Sequence, residues 1–196
     1  KEDLVILLKK IKPDFLINAI GITKHIKNKN KNKKNILKIN SFFPHYAKKI
    51  ANKNNCKFIQ ISTDCVFNGK KGNYKESDKP NATDIYGISK ARGEIIDNKN
   101  LTIRTSTIGH EIYSKYGLLE WFLSQKKVCF GFKNAKFNGL PTYYFSRALL
   151  YILLKTKIVG VIHISGKKIS KLSLLKKIKK IYKKKINIKI NEDYVI

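Results

Sequence analysis

The chain has 196 residues, 42% hydrophobic and 11% aromatic, enough apolar mass for one folded domain and too much for a disordered chain. Lys and Arg number 42 against 13 Asp and Glu, a formal net charge of +29; only Arg92, Arg104 and Arg147 are arginine, so the donor fork that reads phosphates and base edges is scarce and no specific nucleic-acid partner is expected. No apolar run reaches the ~20 residues of a membrane helix, and Cys56, Cys65 and Cys129, with no Cys-x-x-Cys pair, argue against a disulfide scaffold or a zinc site and for a reducing, cytoplasmic setting.

Leu4, Leu7, Leu8 and Ile11 recur at helical spacing, and Pro13 ends that helix. Phe15 to Ala19 is a short apolar run with the character of a buried strand. A polar loop is expected from Gly21 to Lys34, including the low-complexity Lys-Asn run from Lys27 to Lys34. Ile36, Ile39, Phe43, Tyr46, Ala47 and Ile50 predict a helix, with Pro44 kinking it or marking a late start. Lys57 to Ser62 predicts a second strand, followed by a long loop from Thr63 to Asp84; loops of that length are commonly functional. Then come a helix from about Tyr86 to Asp97, a strand over Leu101 to Arg104, helices over Leu118 to Gln125 and Thr142 to Leu154, and a strand over Val161 to Ser165. Lys171 to Lys185 predicts an amphipathic helix, its lysines on the solvated face. Strands alternating with helices in this way predict an α/β fold, a doubly wound parallel sheet, over a single domain.

Tyr86 and Lys90 stand at i and i+4 in Tyr86-Gly87-Ile88-Ser89-Lys90, one turn apart on one helix face. A free phenol titrates near 10 and is a poor proton donor at neutral pH; a neighbouring ammonium is expected to lower it toward the working range. The strand before the long loop ends at Ser62-Thr63-Asp64. In open parallel sheets ligands sit beyond the carboxyl ends of strands, so the Thr63 hydroxyl is placed to donate to a carbonyl oxygen. The earlier strand end, Asn18-Ala19-Ile20-Gly21, offers small residues for close approach of a cofactor. His25, His45, His110 and His163 show no ligand spacing, so no metal is expected. Cys65 and the Trp121-Phe122 pair fit packing roles.

The run Ile61-Ser62-Thr63-Asp64-Cys65-Val66-Phe67-Asn68-Gly69, then Tyr74-Lys75-Glu76, Pro80 and Tyr86-Gly87-Ile88-Ser89-Lys90-Ala91-Arg92-Gly93-Glu94, resembles the extended short-chain dehydrogenase/reductases, most closely the dTDP-4-dehydrorhamnose reductase subgroup. Pro13 to Ala19, Ile39-Asn40 and Ile103-Arg104-Thr105-Ser106 fall in the same order, and Gly139 to Thr142 and His163 to Gly166 carry a fainter likeness. The resemblance implies a Rossmann-like sheet and an NADPH- or NADH-dependent reduction of the 4-keto group of a nucleotide sugar, in deoxysugar or surface polysaccharide biosynthesis. It implies Tyr86 as proton donor, Lys90 on the nicotinamide ribose, and Thr63 on the keto oxygen, with Asp64 and Thr107 toward the sugar. Ala19, Ile20, Gly21, Asn40 and Ser62 join Tyr86 and Lys90 along the cofactor edge. Residues 1–133 then form a partial NAD(P)-binding core, and residues 134–196 form mostly a small substrate lobe with the final sheet elements. A homodimer is compatible with this resemblance.

Two departures stand out. No glycine-rich Gly-x-x-Gly-x-x-Gly turn exists in the chain, which leads to the expectation of a first βαβ unit missing before Lys1. Thr107 stands where the subgroup tends to have Trp, so the sugar is not fixed. A non-catalytic regulatory or nucleotide-sugar-binding relative of the same fold is the alternative; intact Thr63, Tyr86 and Lys90 weigh against it.

Overall fold

Short runs of apolar residues, each followed by a helix, generate a parallel sheet because parallel neighbours need a long crossover between them. The computed structural model describes residues 2–23, 29–113 and 115–192. In chain order these comprise α1 (Glu2–Ile11), β1 (Phe15–Asn18), α2 (Lys29–Leu37), a π-helical turn (Lys38–Phe42), α3 (Phe43–Lys53), β2 (Lys57–Thr63), a 3-10 turn (Asp64–Val66), α4 (Ile85–Arg92), β3 (Leu101–Thr105), β4 (Thr107–Ile108), α5 (Leu118–Ser124), β5 (Val128–Phe132), β6 (Lys136–Phe137), β7 (Leu140–Pro141), α6 (Thr142–Lys155), β8 (Gly160–Ile164), β9 (Ile169–Ser170), α7 (Lys171–Ile181) and β10 (Asn187–Asn191).

The chain divides into two units, Lys1–Thr105 with Ile152–Ile164, and Ser106–Tyr151 with Ser165–Ile196. The first holds a sheet in the order β1-β2-β3-β8, every pair parallel. All five residues of β3 are buried, as befits an inner strand covered on both faces. Its core gathers Leu8, Ala47, Ile50, Ala51, Cys56, Phe58 and Ile95. The second unit holds three two-stranded ladders, β5 with β10, β4 with β7 and β6 with β9; Leu119, Phe122, Cys129, Leu175, Ile178 and Ile186 form its core. No helix among the described residues is long and apolar enough to cross a membrane.

Three expected boundaries are corrected. The polar loop ends before Lys29, because Lys29 to Lys34 lie in α2; lysine is a good helix former, and Ile36 anchors the helix in the interior. The rest of the Lys-Asn run, Lys27 and Asn28, lies outside the described residues. The helix expected to reach Asp97 ends at Arg92. There the Thr102 hydroxyl takes over the Ile95 backbone, accepting from its N–H at 2.9 Å and donating to its carbonyl at 2.8 Å. The helix expected to reach Lys185 ends at Ile181: Lys183 is left-handed, with φ 49°, and Lys184 N–H turns back to the Lys179 carbonyl, which closes the helix.

Of the two expectations for Pro44, the structure shows the late start: α3 begins at Phe43. Pro44 sits in the first turn of α3, where a missing N–H is tolerated. The preceding turn widens, with Phe43 N–H bonding Lys38 O, an i to i−5 bond of the π type.

Candidate active site

β2 delivers Thr63 at its carboxyl end, where the chain enters the 3-10 turn; Thr63 Oγ1 accepts the Cys65 N–H at 3.1 Å. α4 is started by Asp84, whose Oδ1 accepts the N–H groups of Tyr86 and Gly87 at 2.9 and 3.0 Å, a cap that contributes ~1 kcal/mol. Gly87 closes the helix onto that turn. A Cβ there would stand 2.3 Å from the Cys65 carbonyl oxygen and 2.4 Å from Ala82 Cβ. Glycine costs a helix ~1 kcal/mol; here it admits the contact that brings Tyr86 into hydrogen-bonding contact with the Thr63 side chain.

Lys90 follows one turn later, nearly buried. Its Nζ donates to the Ile61 carbonyl at 2.7 Å. A Cβ on Gly21 would lie 3.7 Å from that Nζ and 3.5 Å from Asn40 Oδ1, so the bare backbone of Gly21 borders the ammonium. Asn40, on the π turn, grips the same segment at both ends of one residue: Oδ1 accepts Ile22 N–H at 2.8 Å and Nδ2 donates to Ile22 O at 2.9 Å. Nδ2 also donates to Ser89 Oγ at 3.0 Å, which ties the loop after β1 to α4.

The electrostatics correct one expectation. Lys90 does not draw the Tyr86 phenol down. Burial pushes Tyr86 up to about 12; the Thr63 hydrogen bond pulls the other way, and Cys65, Asp64 and Asp84 add to the rise. Burial lowers Lys90 to about 8, with Glu94 opposing. At neutral pH the phenol therefore keeps its proton and the amine remains largely charged.

The other candidates are distributed as follows. Ala19 and Ile20 are exposed just past β1, and Ile20 N–H donates to Asn18 Oδ1. Asp64 is exposed and accepts the Thr63 hydroxyl at 3.2 Å. Ser62 is committed elsewhere than the cofactor edge, its Oγ donating to Glu94 Oε1 at 2.7 Å. Thr107 is exposed on β4, in the second unit. Among the described residues no group of His, Cys, Asp and Glu could hold a metal ion. Sequence reasoning missed Glu94 and Arg104 as a pair, joined by Arg104 Nη2 to Glu94 Oε2 at 2.8 Å. The available signal was an arginine, rare in this chain, inside the apolar strand Leu101 to Thr105.

The family described as the RmlD substrate binding domain matches residues 1–185. A dTDP-4-dehydrorhamnose reductase of Aggregatibacter actinomycetemcomitans is 27% identical over 172 residues, 82% of this chain and 58% of that protein; the chain thus spans under two thirds of that relative's length. Among solved structures, a hypothetical dTDP-4-dehydrorhamnose reductase from Sulfolobus tokodaii is 29% identical with a TM-score of 0.84, covering 97% of this chain and 69% of its own. The Bacillus anthracis dTDP-4-dehydrorhamnose reductase in complex with NADP shares the fold at a TM-score of 0.83 and 19% identity, over 98% of this chain and 70% of that one. With the family match running over residues 1–185 of the 196, the chain belongs to the RmlD substrate binding domain family.

Proposed function

We propose that the protein carrying this chain reduces the 4-keto group of a nucleotide sugar with NADPH or NADH, in the manner of the dTDP-4-dehydrorhamnose reductases it is similar to, within deoxysugar or surface polysaccharide biosynthesis. The observation that carries the reading is the hydrogen bond between Thr63 and Tyr86, with the buried Lys90 amine one turn further along α4 and no side chain between it and Gly21.

These residues fit a dinucleotide's ribose. An ammonium has three donors; Lys90 gives one to Ile61 O and faces the side-chain-free Gly21 with the others. A reduced nicotinamide supplies the hydride when bound. The chain's own residues handle the oxygen. Thr63 and Tyr86 bring two hydroxyls from two elements; once the Thr63 O–H turns from Asp64, a ketone oxygen set between them accepts both. Charge developing on that oxygen strengthens both bonds, which is differential stabilisation of the transition state. Tyr86 then gives up its proton to the alkoxide. A phenol held at about 12 is matched to such a strongly basic oxygen and stays protonated until needed. The Thr63 hydrogen bond favours the phenolate that remains.

The test is NADPH oxidation driven by dTDP-4-keto-6-deoxysugars in the protein that carries this chain. Tyr86→Phe is expected to lower kcat about 10³-fold, and Thr63→Val about 10²-fold, with nucleotide-sugar affinity nearly unchanged. Unchanged turnover in Tyr86→Phe defeats the proposal.

A further inference from the structure

Arg104 is one of three arginines in a chain whose other strong cations are all lysine. It lies on β3, one of the two inner strands, paired across the register with Ser62 of β2 and His163 of β8. Its side chain is 2% exposed and that of Glu94 1%. The pair is a two-pronged fork: Nε donates to Glu94 Oε1 at 2.9 Å and Nη2 to Oε2 at 2.8 Å. Glu94 Oε1 also takes the Ser62 hydroxyl at 2.7 Å. Glu94 comes directly after Gly93, the residue that ends α4; Ser62 comes directly before Thr63. One carboxylate thus joins the foot of the helix bearing Tyr86 and Lys90 to the strand end bearing Thr63.

The remaining face and nitrogen of the guanidinium go to the segment after Thr63. The Phe67 ring lies under it, 5.0 Å from Cζ to the ring centroid, and Tyr74 stacks on the far side of Phe67 at 4.2 Å. Nη1 donates to the Glu76 carbonyl at 3.3 Å and sits 3.3 Å from His163 Nε2. The Glu76 carboxylate accepts the His163 N–H at 3.0 Å; together with its own backbone N–H, this bond holds its carboxyl below the usual range.

We propose that Arg104 is a positioning residue: through Glu94 it fixes the foot of α4 to the Thr63 end of β2, and through Phe67 and Glu76 it clasps the 67–79 segment alongside. The first half rests on the role given above to Thr63 and Tyr86; the clasp does not. Lysine cannot replace it, having neither the paired fork nor the flat face that stacks on Phe67. The segment matters because it leaves β2 directly beyond Asp64, so its anchorage bounds one side of the ground next to Thr63.

The experiment compares the unsubstituted protein with Arg104→Lys and Phe67→Leu, the latter leaving the Glu94 fork intact should the former fail to fold. The segment carries Lys70, Lys71 and Lys75 as trypsin sites, whereas Lys79 precedes Pro80 and resists the protease. Cleavage there is expected to be about tenfold faster in either variant while circular dichroism still shows a cooperative unfolding transition, since local opening is set by local contacts. Rates within about twofold of the unsubstituted protein in every folded variant overturn the clasp. In turnover, Arg104→Lys is expected to lower kcat about 30-fold with KM within about threefold, and adding Thr63→Val is expected to cost far less there than in the parent. An equal cost in both backgrounds overturns the positioning role and leaves Arg104 to the fold alone. If the unsubstituted protein turns over no nucleotide sugar, the function proposed above fails, and the trypsin comparison still decides the clasp.

Discussion

Burying an amine costs free energy, and Lys90 shows how that cost is tied to chemistry. Its folded pKa of about 8 lies below the ordinary 10.5. Between those values the unfolded chain holds a proton that the folded chain has lost, so stability rises with pH across that window. Below it the penalty is full, roughly 3 kcal/mol. Lys90→Met is therefore expected to stabilise the fold by about 1–3 kcal/mol in urea titrations at pH 7 while abolishing turnover. The Ile61 carbonyl is not orphaned by that change, because Gln60 Nε2 also donates to it at 3.0 Å. In the parent, kcat should fall as pH rises through about 8 and Lys90 loses its charge; the Tyr86 limb lies far above, near 12. Tyr86, Lys90 and Thr63 were legible in the sequence because a phenol and an amine four apart, and a hydroxyl at a strand end, are local patterns. The Ser62-Glu94-Arg104 grouping was not, since its members sit on three elements and only burial makes the fork valuable. The effect of burial on Tyr86 was also invisible, and it reversed the expected direction.

Helix boundaries were misread wherever a distant group decided them. Periodicity carried the helix on past Arg92; the Thr102 hydroxyl, from the next strand, ends it by claiming the Ile95 backbone. Pro44 marks the start of α3, as one of its two expected roles required. Its missing N–H leaves the Asn40 carbonyl without its usual i+4 donor, and that carbonyl is where α4 approaches most closely: a Cβ on Gly93 would lie 1.9 Å from Asn40 O and 3.2 Å from Pro44 Cγ. A proline on one helix and a glycine at the end of another thus make a single backbone contact, and neither residue discloses this alone. Gly93→Ala forces α4 off the π turn and is expected to cost on the order of 3 kcal/mol in chemical denaturation. Because Asn40 also holds Ile22 and Ser89, cofactor affinity should weaken with it. A cost under about 0.5 kcal/mol, the usual size for a surface site, would contradict this contact.

For the molecule as a whole, the alternation of strands and helices in the first unit was readable because parallel pairing demands it. The ladders of the second unit were not. β5 and β10 pair Val128 with Asn187 and Cys129 with Ile188, partners too distant in sequence for a local pattern to join, and each is only five residues long. The charge of +29 gives a test of a different kind. DNA binding is expected to weaken steeply as salt rises and to show no preference among sequences, as counterion release alone requires; a sequence preference in competition assays would contradict the view of lysine as solvated surface. The order β1-β2-β3-β8 has its own consequence for synthesis. β3 is finished at Thr105, yet its outer neighbour begins only at Gly160. At roughly 5–20 residues per second, the ribosome needs about 3–11 s to deliver that neighbour. For those seconds a strand that ends fully buried waits with one row of peptide groups uncovered, so the nascent chain is most vulnerable to misassociation while its second unit is still being translated.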